Sequence, residues 1–269
     1  MFRHGYIYHD LLAEVGPLND GQVRTHRCLQ LIYGVNKPLN IRLQGEWQNV
    51  RLCLIDEGVD HYISGEDDWQ ICYFIYPDSP LGHLLKQSVL KDSSVSVMSH
   101  DENPSLIKTV QPAVRPMSLD DVRGLLETIL YVFTGRRAAP RTGLSVSLKL
   151  NDMLSSRSLN EVTLSELAFR MEKDVNELAD EFKRETEIEV RTWLMHHRMI
   201  NFFDALEKLD EHPDLATMDA LVRESGIAGL SGLDRMFEDL FGMPYLRWVN
   251  SDRGTIIMTE KTPSFHIYS

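Results

Sequence analysis

Cysteine is scarce: Cys28, Cys53 and Cys72 are the three in 269 residues, and no CxxC pair offers the spacing of a metal or redox centre. Buried, reduced thiols are the expectation. Apolar runs are short as well, and none approaches the roughly 20 residues needed to cross a bilayer. The start, MFRHGYIYHDLLAEV, lacks the order of a signal peptide, so a cytoplasmic chain with no membrane partner is expected. Catalytic signatures are missing too, since no GxSxG, GxGxxG or P-loop sequence occurs. A metal held by histidines needs several ligands converging on one ion. Here His61, His83 and His100 are single and scattered, and His196 and His197, adjacent on a helix, point in different directions. No metal, no cofactor and no enzyme is the reading that follows.

Positive charge is also in deficit. Lys and Arg number 28 against 40 Asp and Glu, for a net charge of −12, and the excess is uneven. Residues 1–150 carry 15 basic and 17 acidic side chains, whereas residues 151–269 carry 13 and 23. The second half should therefore repel a phosphate backbone. What remains is ordinary for a globular protein: 43% hydrophobic and 25% charged residues exclude disordered, collagenous and disulfide-scaffold chains. The length suits two modest domains.

From 23 to about 97 the chain reads as short strands, among them CLQLIYGV, LNIRLQG, VRLCLID and WQICYFIYP, separated by Gly, Asn, Asp and Pro. Such a series predicts a sandwich or barrel. CLQLIYGV and WQICYFIY run apolar through both parities, as strands covered on both faces do. DSPLGHLLKQSVL is a short amphipathic stretch opened by Ser79-Pro80, and a Pro-rich polar passage spans 99–116. The helix SLDDVRGLLETILYVFTGR follows, with Ser118 and Asp121 as a capping box and Gly135 as its stop. Leu119, Val122, Leu126, Ile129 and Phe133 recur at three and four, a coiled-coil seam over two heptads. That seam either dimerises with a second copy or packs within the monomer. The boundaries expected are a β-rich domain over 1–117, a linking helix over 118–135, a basic linker over 136–143, a helical domain over 144–253 and a tail over 254–269. The tail alternates apolar and polar residues; it adds an edge strand, to this molecule or a partner, or is loose.

Two segments of the helical half share a design. In VTLSELAFRMEKDVNELADEFKRETEIEVRTWL, Thr163 caps a helix with Glu166, and Leu164, Leu167, Ala168 and Met171 face inward. A turn at 172–174 leads to a second helix with Leu178 and Phe182 inward. In ATMDALVRESGIAGLSGLDRMFEDLFGMP, Leu221 and Val222 face in, Ser225-Gly226 breaks the helix, and Leu233 and Phe237 anchor the next. Two short helices around a tight turn make a helix-turn-helix unit. VRTWLMHHRMINFFDALEKL is the bridge between them.

In its ordered set of Leu167-Ala168, Leu178, Phe182, Trp193-Leu194, Arg198-Met199, Gly226-Ile227, Ser231, Leu233, Arg235, Phe237, Gly242 and Pro244, this half resembles the paired helix-turn-helix domain of AraC-type transcription regulators. The resemblance covers about a hundred residues and implies an α+β fold: a cupin-like β-sandwich or barrel for effector sensing and dimerisation, a linking helix, and an all-α domain with two helix-turn-helix units. The departures are specific. Asp174 and Asp180 stand where the family has a serine and an arginine, Glu187 replaces a glycine, Phe202 replaces a small alanine, and GMPYLR is one residue shorter than the usual ending.

The resemblance makes Asn176, Lys183, Arg184, Ser231 and Arg235 the candidate DNA-binding residues. Arg and Lys read guanine and Asn reads adenine in the major groove, whereas acids repel phosphate. The first reading helix mixes Glu177, Asp180 and Glu181 among its candidates, which also fits a merely solvated face. Trp47, His61, Trp69 and Tyr73, with apolar bodies and polar handles, are the candidates for a small-molecule effector site, or else core residues. Two functions stay open: a dimeric regulator that binds promoter DNA, and a regulator-shaped protein that acts through a protein partner.

Overall fold

The computed structural model describes residues 3–8, 11–17, 23–43, 45–64, 69–98, 118–135, 138–140, 145–155, 162–186, 188–209, 213–241, 244–249, 255–259 and 265–267. Turn residues divide the first hundred into strands β1 (Arg3–Ile7), β2 (Leu11–Pro17), β3 (Leu29–Gly34), β4 (Leu39–Leu43), β5 (Glu46–Val50), β6 (Leu52–Ile55), β7 (His61–Ser64), β8 (Trp69–Ile75) and β9 (Val95–Met98). Helix α1 (Pro80–Leu85) lies between the last two, and a π-helical turn over Lys86–Leu90 prolongs it. Ser79 caps α1, its hydroxyl accepting the Gly82 N–H at 3.0 Å, and Pro80 sits in the first turn where no N–H is needed.

The strands form an antiparallel sandwich. One sheet runs β1, β2, β8, β3, β6, β9; the other runs β5, β4, β7. Parity along the strands decides which core each side chain enters. From β8, Trp69, Ile71, Tyr73 and Ile75 join one cluster with Leu31, Tyr33 and Leu54, while Cys72 and Phe74 join a second with Ile32, Cys53, Ile41 and Ile63. All seven residues of β8 are buried because both its faces are covered, as its unbroken apolar run predicts. In β4, covered on one face, burial alternates. The β half begins earlier than the sequence pattern suggested, since β1 and β2 precede residue 23. Conversely, residues 23–28 form no strand beyond a single bridge from Arg24 to His61.

Helix α2 (Leu119–Thr134) carries the capping box of Ser118 and Asp121 and ends on Gly135, whose φ of 68° is the left-handed geometry that favours glycine. Its apolar stripe lies on the large sheet: Val122, Leu125, Leu126, Ile129 and Leu130 are buried in the first cluster, with Leu119 and Phe133 packed against it. Tyr8 and Tyr73 donate hydroxyl hydrogens to the carbonyls of Leu119 and Val122, each at 2.8 Å. The seam Leu119, Val122, Leu126, Ile129 and Phe133 is thus spent inside the monomer, a correction to its reading as a dimer interface. The apolar face of the large sheet, alternating residues of period two along several strands, outweighs a repeat only two heptads long.

After β10 (Ala138–Pro140), within the expected linker, the chain turns helical: α3 (Ser145–Ser155), α4 (Leu164–Arg170), α5 (Val175–Thr186), α6 (Val190–Glu207), α7 (Leu215–Glu224), α8 (Gly229–Phe241) and α9 (Tyr245–Val249). The tail then supplies β11 (Thr255–Thr259), parallel to β1 at the edge of the large sheet, and β12 (Phe265–Ile267), antiparallel to β10. The Pro-rich passage 99–116, most of the linker, His100, Glu187 and Gly242 lie outside the described residues.

Ile129→Ala should cost about 2–5 kcal/mol in urea unfolding, the range for a buried large-to-small change. Tyr131→Ala, on the exposed face of α2, should stay within about 0.5 kcal/mol. A dimer that dissociates in Ile129→Ala with no loss of monomer stability would put the seam between copies instead.

Candidate nucleic-acid interface

Each helix-turn-helix unit is built by short-range bonds that the sequence encodes. In the first, the Thr163 hydroxyl accepts the Glu166 N–H at 3.1 Å, Leu167 and Ala168 are buried, and Glu172 turns the chain at a positive φ of 56°. Asp174 then caps α5, its carboxylate accepting the N–H groups of Asn176 and Glu177 at 2.8 Å each. The aspartate at this position thus opens the helix through its side chain. In the second unit Asp214 caps α7 through the Thr217 N–H at 2.8 Å. Asp219 reaches across to accept the Leu230 N–H of α8 at 2.8 Å while Arg223 holds its other oxygen at 2.7 Å. Gly229 opens α8 at φ 72°, and a Cβ there would lie 2.6 Å from the Arg223 guanidinium and 2.8 Å from the Asp219 carboxylate. Glycine at this turn serves both the backbone and the cap.

Helix α6 joins the units. Its first turns, with Val190, Trp193 and Leu194, complete a core with Leu150, Leu167, Leu178 and Phe182. Its later turns, with Met199, Ile200, Phe202 and Phe203, belong to the cluster of the second unit. Phe202, in place of a small residue, is buried in a ring group with Phe203, Phe237 and Tyr245 at centroid separations of 5.0–5.9 Å. That cluster continues into the inner face of the β-sandwich, so the second unit shares a core with the β half while the core of the first unit contains no β-strand residue. At this junction the rings of Tyr76 and His196 lie 4.3 Å apart and the Tyr76 hydroxyl hydrogen-bonds His196 Nε2. Burial pushes the Tyr76 hydroxyl well above its ordinary pKa, with Cys28 adding to the rise, so it stays protonated.

On α5, Asn176, Glu177, Asp180, Lys183 and Arg184 are all exposed, one after another along the outer face. Charge there is largely matched from within. Lys173 contacts Glu181 at 2.5 Å and Glu177 at 3.4 Å, and Lys183 pairs with Glu189 at the start of α6. On α8, Ser231, Arg235 and Glu238 share the exposed stripe, and neither Arg184 nor Arg235 makes an ion pair among the described residues. Arg198 donates to the Val162 carbonyl at 2.8 Å and is partly buried. Arg136, Arg137 and Arg141 lie outside the described residues.

The C-terminal part of α8 meets the β half. Arg27 pairs with Asp239 at 3.4 Å, and Thr25, His26, Arg27, Glu57 and Gly58 face Glu238 and Asp239 across a cleft of about 530 Å³. No local sequence signal could pair these groups, because they come from opposite ends of the chain.

The four effector candidates do not meet in one cavity. Trp47 is 57% exposed on the outer face of the small sheet, edge-on to Tyr62 at 5.5 Å. His61 is buried beneath that sheet, its Nδ1 3.0 Å from the Val59 carbonyl, with its pKa lowered chiefly by burial. Trp69 stacks on His4 at 6.3 Å, and Tyr73 supports α2. Two of the four are therefore core residues on the α2 side, and the shared pocket is corrected to three separate locations. Among the described residues no group of three or more His, Cys, Asp or Glu converges as a metal site would, and no helix is long and apolar enough to cross a membrane.

No protein-family model matches the chain, and no curated protein matches it. Among solved structures it is similar to an apo, singly substituted form of ToxT from Vibrio cholerae, at 10% identity over 91% of this chain and 98% of the other, with a TM-score of 0.44. The AraC-like transcriptional activator CuxR is similar at 11% identity over 81% and 83%, with a TM-score of 0.33. An RmlC-like cupin from Shewanella frigidimarina is similar at 20% identity over 26% of this chain and 68% of the cupin, with a TM-score of 0.22. An AraC-like activator is thus among its structural neighbours.

Asp219 is held below its usual pKa, first by the Leu230 N–H and then by Arg223. A lowered carboxylate stabilises fully above its unfolded value, about 3.9, and the contribution fades as pH falls through the folded value. Asp219→Asn should therefore unfold at lower urea than the parent at pH 7, with the gap narrowing at pH 3. An equal gap at both pH values would show that charge at Asp219 contributes nothing.

Proposed function

We propose that the chain is a transcription regulator that binds promoter DNA through its two helix-turn-helix units, with the β half sensing a small molecule, mediating dimerisation, or both. The observation that carries this reading is α6 serving two cores: one rod holds both units, and each unit turns the polar face of its second helix outward. Two reading helices held on one rod suit successive major-groove segments. Arg184 and Arg235 are the exposed cations available for base or phosphate, with Asn176 and Ser231 as polar neighbours and Lys183 available once it leaves Glu189. A homodimer would use a surface other than the α2 seam.

A second reading is favoured by the matching of Lys173 and Lys183 to acids on or beside α5: the outer face meets a protein partner rather than phosphate. The chain would then act as an anti-activator or co-regulator.

Gel retardation on promoter fragments separates the two. Binding should weaken steeply with salt, and Arg184→Ala with Arg235→Ala should raise Kd at least about tenfold, since a good base contact carries roughly 1–3 kcal/mol. Absence of retardation at low salt across the promoters of the source genome would favour the protein partner.

A further inference from the structure

The tail is the feature that the function so far leaves unused. The chain enters the helical half after β10 and leaves it into β11, and both strands are tied down. β11 lies in parallel register on β1, from Arg3 with Thr255 to Ile7 with Thr259. β12 pairs with β10, Ala138 with Ile267 through Pro140 with Phe265, so the entering and departing strands are joined to one another. α6, the rod of both helix-turn-helix units, packs beside β11, and α1 packs beside β12. The connections are short: residues 141–144 separate β10 from α3, and 250–254 separate α9 from β11. At about 3.5 Å per extended residue, four or five residues span no more than roughly 14–18 Å.

We propose that β11 and β12 are a clasp: while they stay paired they add to the shared core in holding the helical half in a fixed pose against the β-sandwich, and release of these strands is the step that lets both reading helices adjust to DNA. The second clause rests on the DNA-binding reading; the first does not. Three things support the clasp. The shared core seats the second unit on the sandwich, and a helical half tied back at both ends within this reach has less freedom to leave that seat than one tied at a single end. An edge strand of five residues, paired on one side only, is among the elements that open at least cost in free energy. β11 also packs beside α6, the rod common to both units, so its release bears on both at once.

Two variants of the full chain test it. Ile256→Pro with Ile257→Pro removes an inward N–H from β11, because successive N–H groups alternate sides along a strand. Arg3→Cys with Thr255→Cys places thiols at the first register pair; the native Cys28, Cys53 and Cys72 are buried and stay out of the reaction. Amide exchange should speed about tenfold or more across β1 and along α6 in the proline variant, while β3 and β8 keep their protection. Oxidation of the cysteine variant should give a cross-link within one chain. Unchanged exchange at β1, or a cross-link found only between chains, overturns the clasp. DNA retardation should strengthen in the proline variant and weaken on oxidation of the cysteine variant, with reduction restoring it. Faster exchange with unaltered retardation would overturn the regulatory half and leave the clasp standing. Faster exchange with no retardation by any form, the parent included, would remove the DNA-binding reading itself.

Discussion

The molecule depends on β8 being covered on both faces. One face of this strand builds the core that seats α2, and the other builds the core that passes into the second helix-turn-helix unit. Without a seven-residue strand apolar at both parities, α2 would have no bed and the helical half no wall to pack on. Tyr73 shows how closely the layers are joined, lying in the sheet while its hydroxyl holds a carbonyl in the first turn of α2.

From this arrangement follows an inequality between two units that look alike in sequence. The first, with Leu167, Leu178 and Phe182, closes a core of its own with α3 and the start of α6. The second, with Val222, Leu233 and Phe237, is continuous with the sandwich interior and also touches it through Arg27 and Asp239. That ion pair is largely exposed and worth little alone; the shared apolar core holds the contact. A change in the β half therefore reaches α8 through a shared core, whereas the core that holds α5 contains no β-strand residue.

Local chemistry made much of this legible in advance. The caps at Ser79, Ser118 and Thr163, the stop at Gly135, the run of β8 and the inward residues of both units follow from spacing and residue type within a few positions. What could not be read is non-local. A two-heptad seam has the same spacing whether it meets a sheet or its own copy, so α2 stayed ambiguous until Val122 and Ile129 were seen buried on the sandwich. The strands before residue 23 lack a long alternating run. The tail's alternation signalled a strand without naming its partner, because a parallel pairing between β1 and β11 has no signature in either segment. Asp174 looked like damage to a reading helix, yet its carboxylate caps α5.

The three thiols have a use that does not depend on biology. Cys28, Cys53 and Cys72 all lie inside the sandwich, burial pushes Cys53 up to about 12 and Cys28 higher still, and the helical half has no cysteine at all. A thiolate must form and meet reagent before it can be alkylated. Labelling kinetics on the unaltered chain therefore act as a built-in stopwatch for opening of the core that the sandwich shares with the second helical unit.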